Sequence, residues 1–361
     1  YCAQHGLVLA DEPEEGLDRH LVAKVLQADA DLPRQLLDAF LTIGDVAMPS
    51  RLPELVRLGQ QLGLAAEDLI GDDITPVMVA ARIWRKDAAA LKRLGEQAQI
   101  EAGHAYRTWR ADADEIPVYA PIREADLRRW EKHVAGEFHK RGLGDGARIF
   151  VHTVDDYVFF LIRHGCSPRR EVTHIRGADT SNVVFRPSRT DILRYDTLTG
   201  DLATYQRERR KWQEELYLTS CSLHAFGRPH LFTGDDAYDL APLRSKGSAI
   251  LDCDGIEGIS RIRLVAMSVS APNSKRLAIH YSATDLFAGL RMQGIAWEDL
   301  PTCVEATFLV TFDGGMARKV TVRPPNVVRC GQHGDEVLVQ QWLLRHGIKK
   351  ALVRVDDQPD F

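Results

Sequence analysis

Around Gly142, Gly144 and Gly146 the hydrophobic period of the chain changes, and neither an all-helical nor an all-strand fold accommodates both sides of that change. Before it, apolar residues recur at helical spacing, as in Leu17, Leu21, Val22, Val25 and Leu26 and again in Leu36, Leu37, Phe40 and Leu41. After it, β-branched and aromatic residues come in short runs separated by turn residues, as strands do. The fold class expected is therefore α+β: an N-terminal all-helical domain over residues 1–116, then an α+β domain over residues 117–361 with a mostly antiparallel sheet.

Local signals fill in this outline. Pro33, Pro53 and Pro76 suit first-turn positions, Thr75 can cap a helix, and Gly63 and Gly71 sit where helices would end. The helical pattern runs to about residue 110, residues 111–121 read as a linker with two prolines, and a further helix is expected over about 124–141. Residues 148–154 and 157–163, joined at Asp155 and Asp156, predict a hairpin. Extended pieces follow at 182–186 and 191–195, then a long helix over about 205–226 and a short one near 235–243. Strands are expected at 248–251, 259–269 and 277–282, a helix at 284–292, and a hairpin of 304–312 with 318–323 turning at Asp313, Gly314 and Gly315. A last helix, about 336–346, closes on Gly347. Most gaps between strands are too short for crossover helices, which disfavours a parallel, Rossmann-like sheet.

Composition narrows the class. The 361 residues, 45% hydrophobic and 27% charged, describe a globular chain and exclude disorder or coiled coil for the whole. No run reaches the roughly 18 apolar residues of a membrane span, so no membrane partner is expected. The first residues lack a secretory pattern, and the six cysteines are scattered without C-x-x-C spacing. A cytoplasmic location with reduced thiols is expected. The chain opens on Tyr1, so further residues are expected upstream, and its arginine- and alanine-rich, lysine-poor style suggests a bacterial source.

Charge is unevenly spread. Residues 1–80 hold 5 basic and 14 acidic side chains, residues 81–212 hold 25 and 19, and residues 213–361 hold 16 and 18. The arginine-rich middle directs attention to Arg163, Arg169, Arg170, Arg186 and Arg189, several beside proline, serine or glycine in expected loops. Guanidinium groups match phosphate oxygens in pairs, so these five are the candidate contacts to nucleic acid or a partner protein. Aromatic neighbours in the same region could stack on unpaired bases. Acidic residues interrupt most basic runs, which is also the pattern of a solvated, ion-paired helix face.

Catalytic motifs are scarce. The glycines at 142–146 lie between a helix and a strand, the reverse of a phosphate loop, and there is no GxxxxGK[ST], H-E-x-x-H or G-x-S-x-G. No motif calls for a cofactor. Gln35, Ala39 and Gly44 imitate a helix-turn-helix with one residue too many. The densest chemically capable group is His152, Asp155, Asp156 and His164, where two carboxylates and an imidazole could serve a divalent metal and an attacking water. Adjacent aspartates are also favoured hairpin-turn residues, and neighbouring strand positions face opposite ways. The leading expectation is a non-catalytic binding component, in a bacterial nucleic-acid-processing or defence setting. The alternatives are a metal-dependent hydrolase or nuclease centred on His152, Asp155 and Asp156, and a structural or homo-oligomerising protein.

Overall fold

Proline, threonine and glycine punctuate the N-terminal helices as the sequence expects. The computed structural model describes residues 34–71, 73–101, 104–174, 180–270, 277–331 and 333–350; the pattern from Leu17 to Leu26 and Pro33 lie outside them. Helix α1 spans Arg34–Val46, α2 Leu52–Gln61, α3 Pro76–Lys86 and α4 Ala88–Glu101. Pro53 lies in the first turn of α2, and Gly63 takes a left-handed φ of 74° just beyond its end. Thr75 caps α3, its Oγ1 accepting from the Met78 amide at 3.3 Å. Leu55, Leu69, Val79, Ile83 and Leu91 form the core of these helices. Gly44 lies inside α1, so no helix-turn-helix break occurs there.

The remaining helices and a large antiparallel sheet make the chain α+β, with the N-terminal helices preceding the sheet. The strands are β1 Ala105–Ala111, β2 Ala147–Val154, β3 Tyr157–Gly165, β4 Arg169–His174, β5 Thr180–Phe185, β6 Ser188–Asp196 and β7 Leu202–Tyr205. They continue with β8 Phe232–Gly234, β9 Ile259–Ser270, β10 Ala278–Ser282, β11 Cys303–Phe312, β12 Ala317–Arg323 and β13 Val327–Arg329. Helices α5 Glu124–Lys140, α6 Lys211–Phe226, α7 Ala241–Lys246, α8 Leu286–Met292 and α9 His333–Arg345 lie between and after them. The main sheet runs β10-β9-β11-β12-β13-β1-β7-β6-β3-β2, with β8 beside β1, while β4 and β5 form a separate two-stranded sheet among the described residues. By compactness the described residues divide into one unit of 34–99 with 171–183 and a second of 100–170 with 184–350.

Four local expectations change. Residues 105–111, read as the tail of the helical pattern, are strand β1, because the short alternation that buries Tyr106 and Thr108 outweighs the helical period around it. Residues 206–210 stay outside α6; the Gln206 side chain accepts the Arg210 amide at 3.2 Å and Glu208 binds guanidiniums on either side. The short helix near 235–243 falls instead at Ala241–Lys246. Residues 247–251 form a 3-10 helix, not a strand, and the carbonyl of Ile250 accepts the Trp342 indole N–H at 3.1 Å.

In the second unit, α5 and α6 cover one side of the β2-β3-β6-β7 portion, burying Trp130, Val134, Phe138, Tyr217 and Cys221 against Val158, Phe160, Ile162, Leu193 and Tyr195. Helix α9 packs Val339, Trp342 and Leu343 on Phe308, Val310, Val320 and Val322. Strand alternation fixes the sides: with Val158, Phe160 and Ile162 under α5 and α6, Phe159 and Leu161 join Ile192 and Tyr106 in a separate cluster on the opposite side. Among the described residues no helix is long and apolar enough to cross a membrane.

Candidate functional site: a cleft with three arginines

Strand β3 ends at Gly165 and β6 begins at Ser188, and the gap between this sheet end and the start of α6 is a cleft of about 160 Å³. At its base His164 is 5% exposed and Asp191 1% exposed. His164 Nε2 lies 3.0 Å from Asp191 Oδ2, and its Nδ1 lies 2.8 Å from the Gly165 carbonyl oxygen. Both ring nitrogens thus face oxygen acceptors.

Helix α6 completes this base because Gln213 and Tyr217 are one turn apart and reach the same side. Gln213 Nε2 donates to Asp191 Oδ2 at 2.5 Å and the Tyr217 hydroxyl donates to the same oxygen at 2.8 Å. Burial, with the Asp191 charge adding to it, pushes the Tyr217 hydroxyl well above the ordinary phenol range. Asp191 Oδ1 is buried and accepts no hydrogen bond among the described residues.

The rim is cationic. Arg169, Arg189 and Arg210 line it with Glu208, Cys166, Ser167 and Pro168. Glu208 faces Arg189 at 2.8 Å and Arg210 at 2.9 Å. These two guanidiniums hold the Glu208 carboxyl down to about 2, and Glu208 in turn raises Arg189. Two of the three rim cations therefore share the one rim carboxylate, Glu208, and Arg169 adds a further positive charge, which leaves the mouth attractive to an anion.

The sequence candidates are dispersed by this geometry. Arg169 and Arg189 line the cleft, and Arg170 is exposed next to it on β4. Arg163 alternates to the other side of β3 and stacks on Phe150, 4.8 Å from the ring centre. Arg186 fastens loops together: its Nη1 donates to the carbonyls of Gly142 and Cys166, each at 2.6 Å. Its chain crosses Gly144 and Gly165, where a Cβ would meet Arg186 Cδ at 3.0 and 2.7 Å. The glycine-rich break is where this arginine lies, which explains both features at once.

His164 belongs to the cleft, but His152 pairs with Phe159 five residues back along β3, and Asp155 and Asp156 occupy the hairpin turn beyond it. At about 3.4 Å per residue the two histidines stand about 17 Å apart along the strand, so the four residues do not meet at one place. Asp155 takes a φ of 50°, which suits a turn aspartate, and the Asp156 carbonyl accepts from Thr197. Among the described residues no three His, Cys, Asp or Glu side chains gather as metal ligands.

Sequence reading missed Asp191, Gln213, Glu208 and Arg210 as site residues. The signal for Gln213 and Tyr217 was their four-residue spacing on a helix already expected; nothing local to Asp191 distinguishes it from a strand-start residue. No family model matches the chain, and no curated protein is similar to it.

Proposed function

We propose that this protein is a non-catalytic binding component that takes the backbone of an unpaired nucleic-acid strand into the cleft between β3, β6 and α6. The observation that carries the reading is the excess of guanidinium over carboxylate in a cleft whose rim bears Arg169, Arg189 and Arg210 against Glu208, with Asp191 the one further carboxylate at its base. Planar guanidiniums match phosphate oxygens bidentately, and a narrow cleft admits a flexible single strand more readily than a duplex. The buried His164–Asp191–Gln213–Tyr217 network supports the reading as a rigid floor that fixes the rim. The setting that accompanies it is the bacterial cytoplasm, in keeping with the composition.

Binding of a labelled single-stranded oligonucleotide across a salt series tests this. The log of the binding constant should fall with log salt, and Arg169→Ala combined with Arg210→Ala should flatten the slope by about 1.4, two contacts at about 0.7 each. No retention at low salt, or an unchanged slope in the double variant, rejects the proposal.

A further inference from the structure

One half of the main sheet carries a second cationic surface, built from strands in the last third of the chain together with β1. On the β9-β11-β12-β13 portion, α9 covers the side bearing Ile262, Leu264, Phe308, Val310, Val320 and Val322. Alternation sends the intervening residues to the opposite side. Register aligns them in rows: Arg261 with Thr311, then Arg263 with Leu309 and Lys319. The next rows are Thr307 with Thr321 and Arg329, and Glu305 with Arg323, Val327 and Arg107. Arg261, Lys319, Arg323 and Arg329 are exposed, and Arg107 and Arg263 are half-buried.

Two of these cations have carboxylate partners: Arg323 Nε lies 2.6 Å from Glu305, and Arg107 lies 2.9 Å from Glu214. Arg261, Arg263, Lys319 and Arg329 make no ion pair among the described residues, and Arg263 Nε is buried without a hydrogen-bond partner. Five strands at about 4.8 Å spacing make this side about 19 Å wide, more than the ~12 Å width of a DNA major groove.

From this charge and shape we infer that the open side of the β9-β11-β12-β13-β1 sheet binds double-stranded nucleic acid through its phosphates. Five of the six cations are arginines, suited to phosphate oxygens, and Thr307, Thr311 and Thr321 add hydroxyl donors of the kind that contact phosphate. No Phe, Tyr or Trp lies in the aligned rows, so the surface lacks the stacking platform that unpaired bases use. The same lack of aromatic residues, with Leu309 and Val327 as the apolar members of the rows, removes the anchors of a membrane interface and the aromatic centre of a protein interface. The inference goes beyond the cleft and stands without it, because none of these residues lines the cleft.

The test is anisotropy with a labelled random-sequence DNA duplex and the matching RNA duplex, using the whole chain. Four unpaired cations at about 0.9 each give a log–log salt slope of about −3.6, or about a 150-fold loss of affinity between 50 and 200 mM salt. Arg261→Ala, Lys319→Ala and Arg329→Ala together should flatten that slope by about 2.7. Unfolding measured in parallel should show the triple variant as stable as the parent, and Arg261→Glu with Lys319→Glu gives a second variant that should lose duplex binding further. Arg169→Ala with Arg210→Ala should leave the duplex slope unchanged. Failure of duplex binding at low salt, an unaltered slope in both surface variants, or loss of duplex binding through the cleft variant alone overturns the inference. Failure of the single-strand test leaves it standing.

Discussion

Arg186 shows how little a residue's type decides its role. By composition it belongs with the phosphate-seeking arginines, yet its guanidinium is spent on two carbonyls and its methylenes fill the space that Gly144 and Gly165 leave open. Adding a Cβ at Gly165 would bring it 2.5 Å from the Leu143 carbonyl oxygen, a backbone atom that cannot step aside. Gly165→Ala is therefore expected to lower stability by about 1–3 kcal/mol, measured by urea unfolding, and Arg186→Ala to cost about 1.5 kcal/mol. An Arg186→Ala variant that weakened nucleic-acid binding while leaving unfolding untouched would reverse this assignment. His224 offers a pH test at the same scale. It lies 3.1 Å from His133, and desolvation, then the charges of His133 and Arg129, lower its pKa from the usual value. Folding thus favours the neutral ring, so its contribution is present above about pH 6.5 and shrinks as pH falls through and below that point. Melting temperature should drop between pH 7.5 and 5.5, and His224→Gln should reduce that drop; an identical drop in the variant would exclude His224 as the cause. The arginine content was legible from the sequence, but the partners of Arg186 were not, because they come from loops 20 and 44 residues away.

Elements were more legible than residues where the signal is local. The β2–β3 hairpin, the Gly314 and Gly315 turn and the Gly347 end of α9 lie where the sequence puts them, since each depends on neighbours along the chain. Strand β1 was hidden because it is seven residues long and its sheet partners, β13 and β7, come from elsewhere in the sequence. The hairpin turn separates the rival readings of Asp155. As a turn residue with positive φ, it should accept glycine: Asp155→Gly is expected to leave stability within about 0.5 kcal/mol and leave oligonucleotide binding intact, whereas Asp155→Val should destabilise. A metal-dependent turnover abolished by Asp155→Gly at unchanged stability would instead restore the hydrolase reading. Helix α6 carries a sharper expectation. Tyr217→Phe removes one of the donors to Asp191, which is buried, so unfolding free energy should fall by about 1–3 kcal/mol. The single-strand salt slope should stay constant, because Tyr217 lies beneath the rim and does not line the cleft.

Across the second unit, charge counted along the chain and charge displayed on a surface part company. Residues 213–361 hold more acidic than basic side chains, yet one side of their sheet is cationic because Arg261, Arg263, Lys319 and Arg323 alternate with apolar residues while Asp335 and Glu336 are carried on α9. Segment totals cannot show this; period-two spacing of cations within expected strands can. Helix α9 also ties the two portions of the sheet. Its Glu336 lies 2.5 Å from Arg194 of β6, both nearly fully buried, and the Arg194 guanidinium sits over the rings of Tyr106 and Tyr157 at 4.3 and 4.9 Å. Just after α9, Lys349 lies 3.1 Å from Asp196 and 3.2 Å from Asp201, also in the interior. Removing one member of such a pair strands the other charge, so Glu336→Ala should cost about 3–5 kcal/mol, while Arg194→Met with Glu336→Ala should recover much of that loss. Since the pair spans β6 and α9, the loss should appear as one shifted cooperative transition of the whole sheet. Two separate transitions, with the α9-covered strands melting apart from β2, β3, β6 and β7, would show that the sheet halves fold independently and that this ion pair does not couple them.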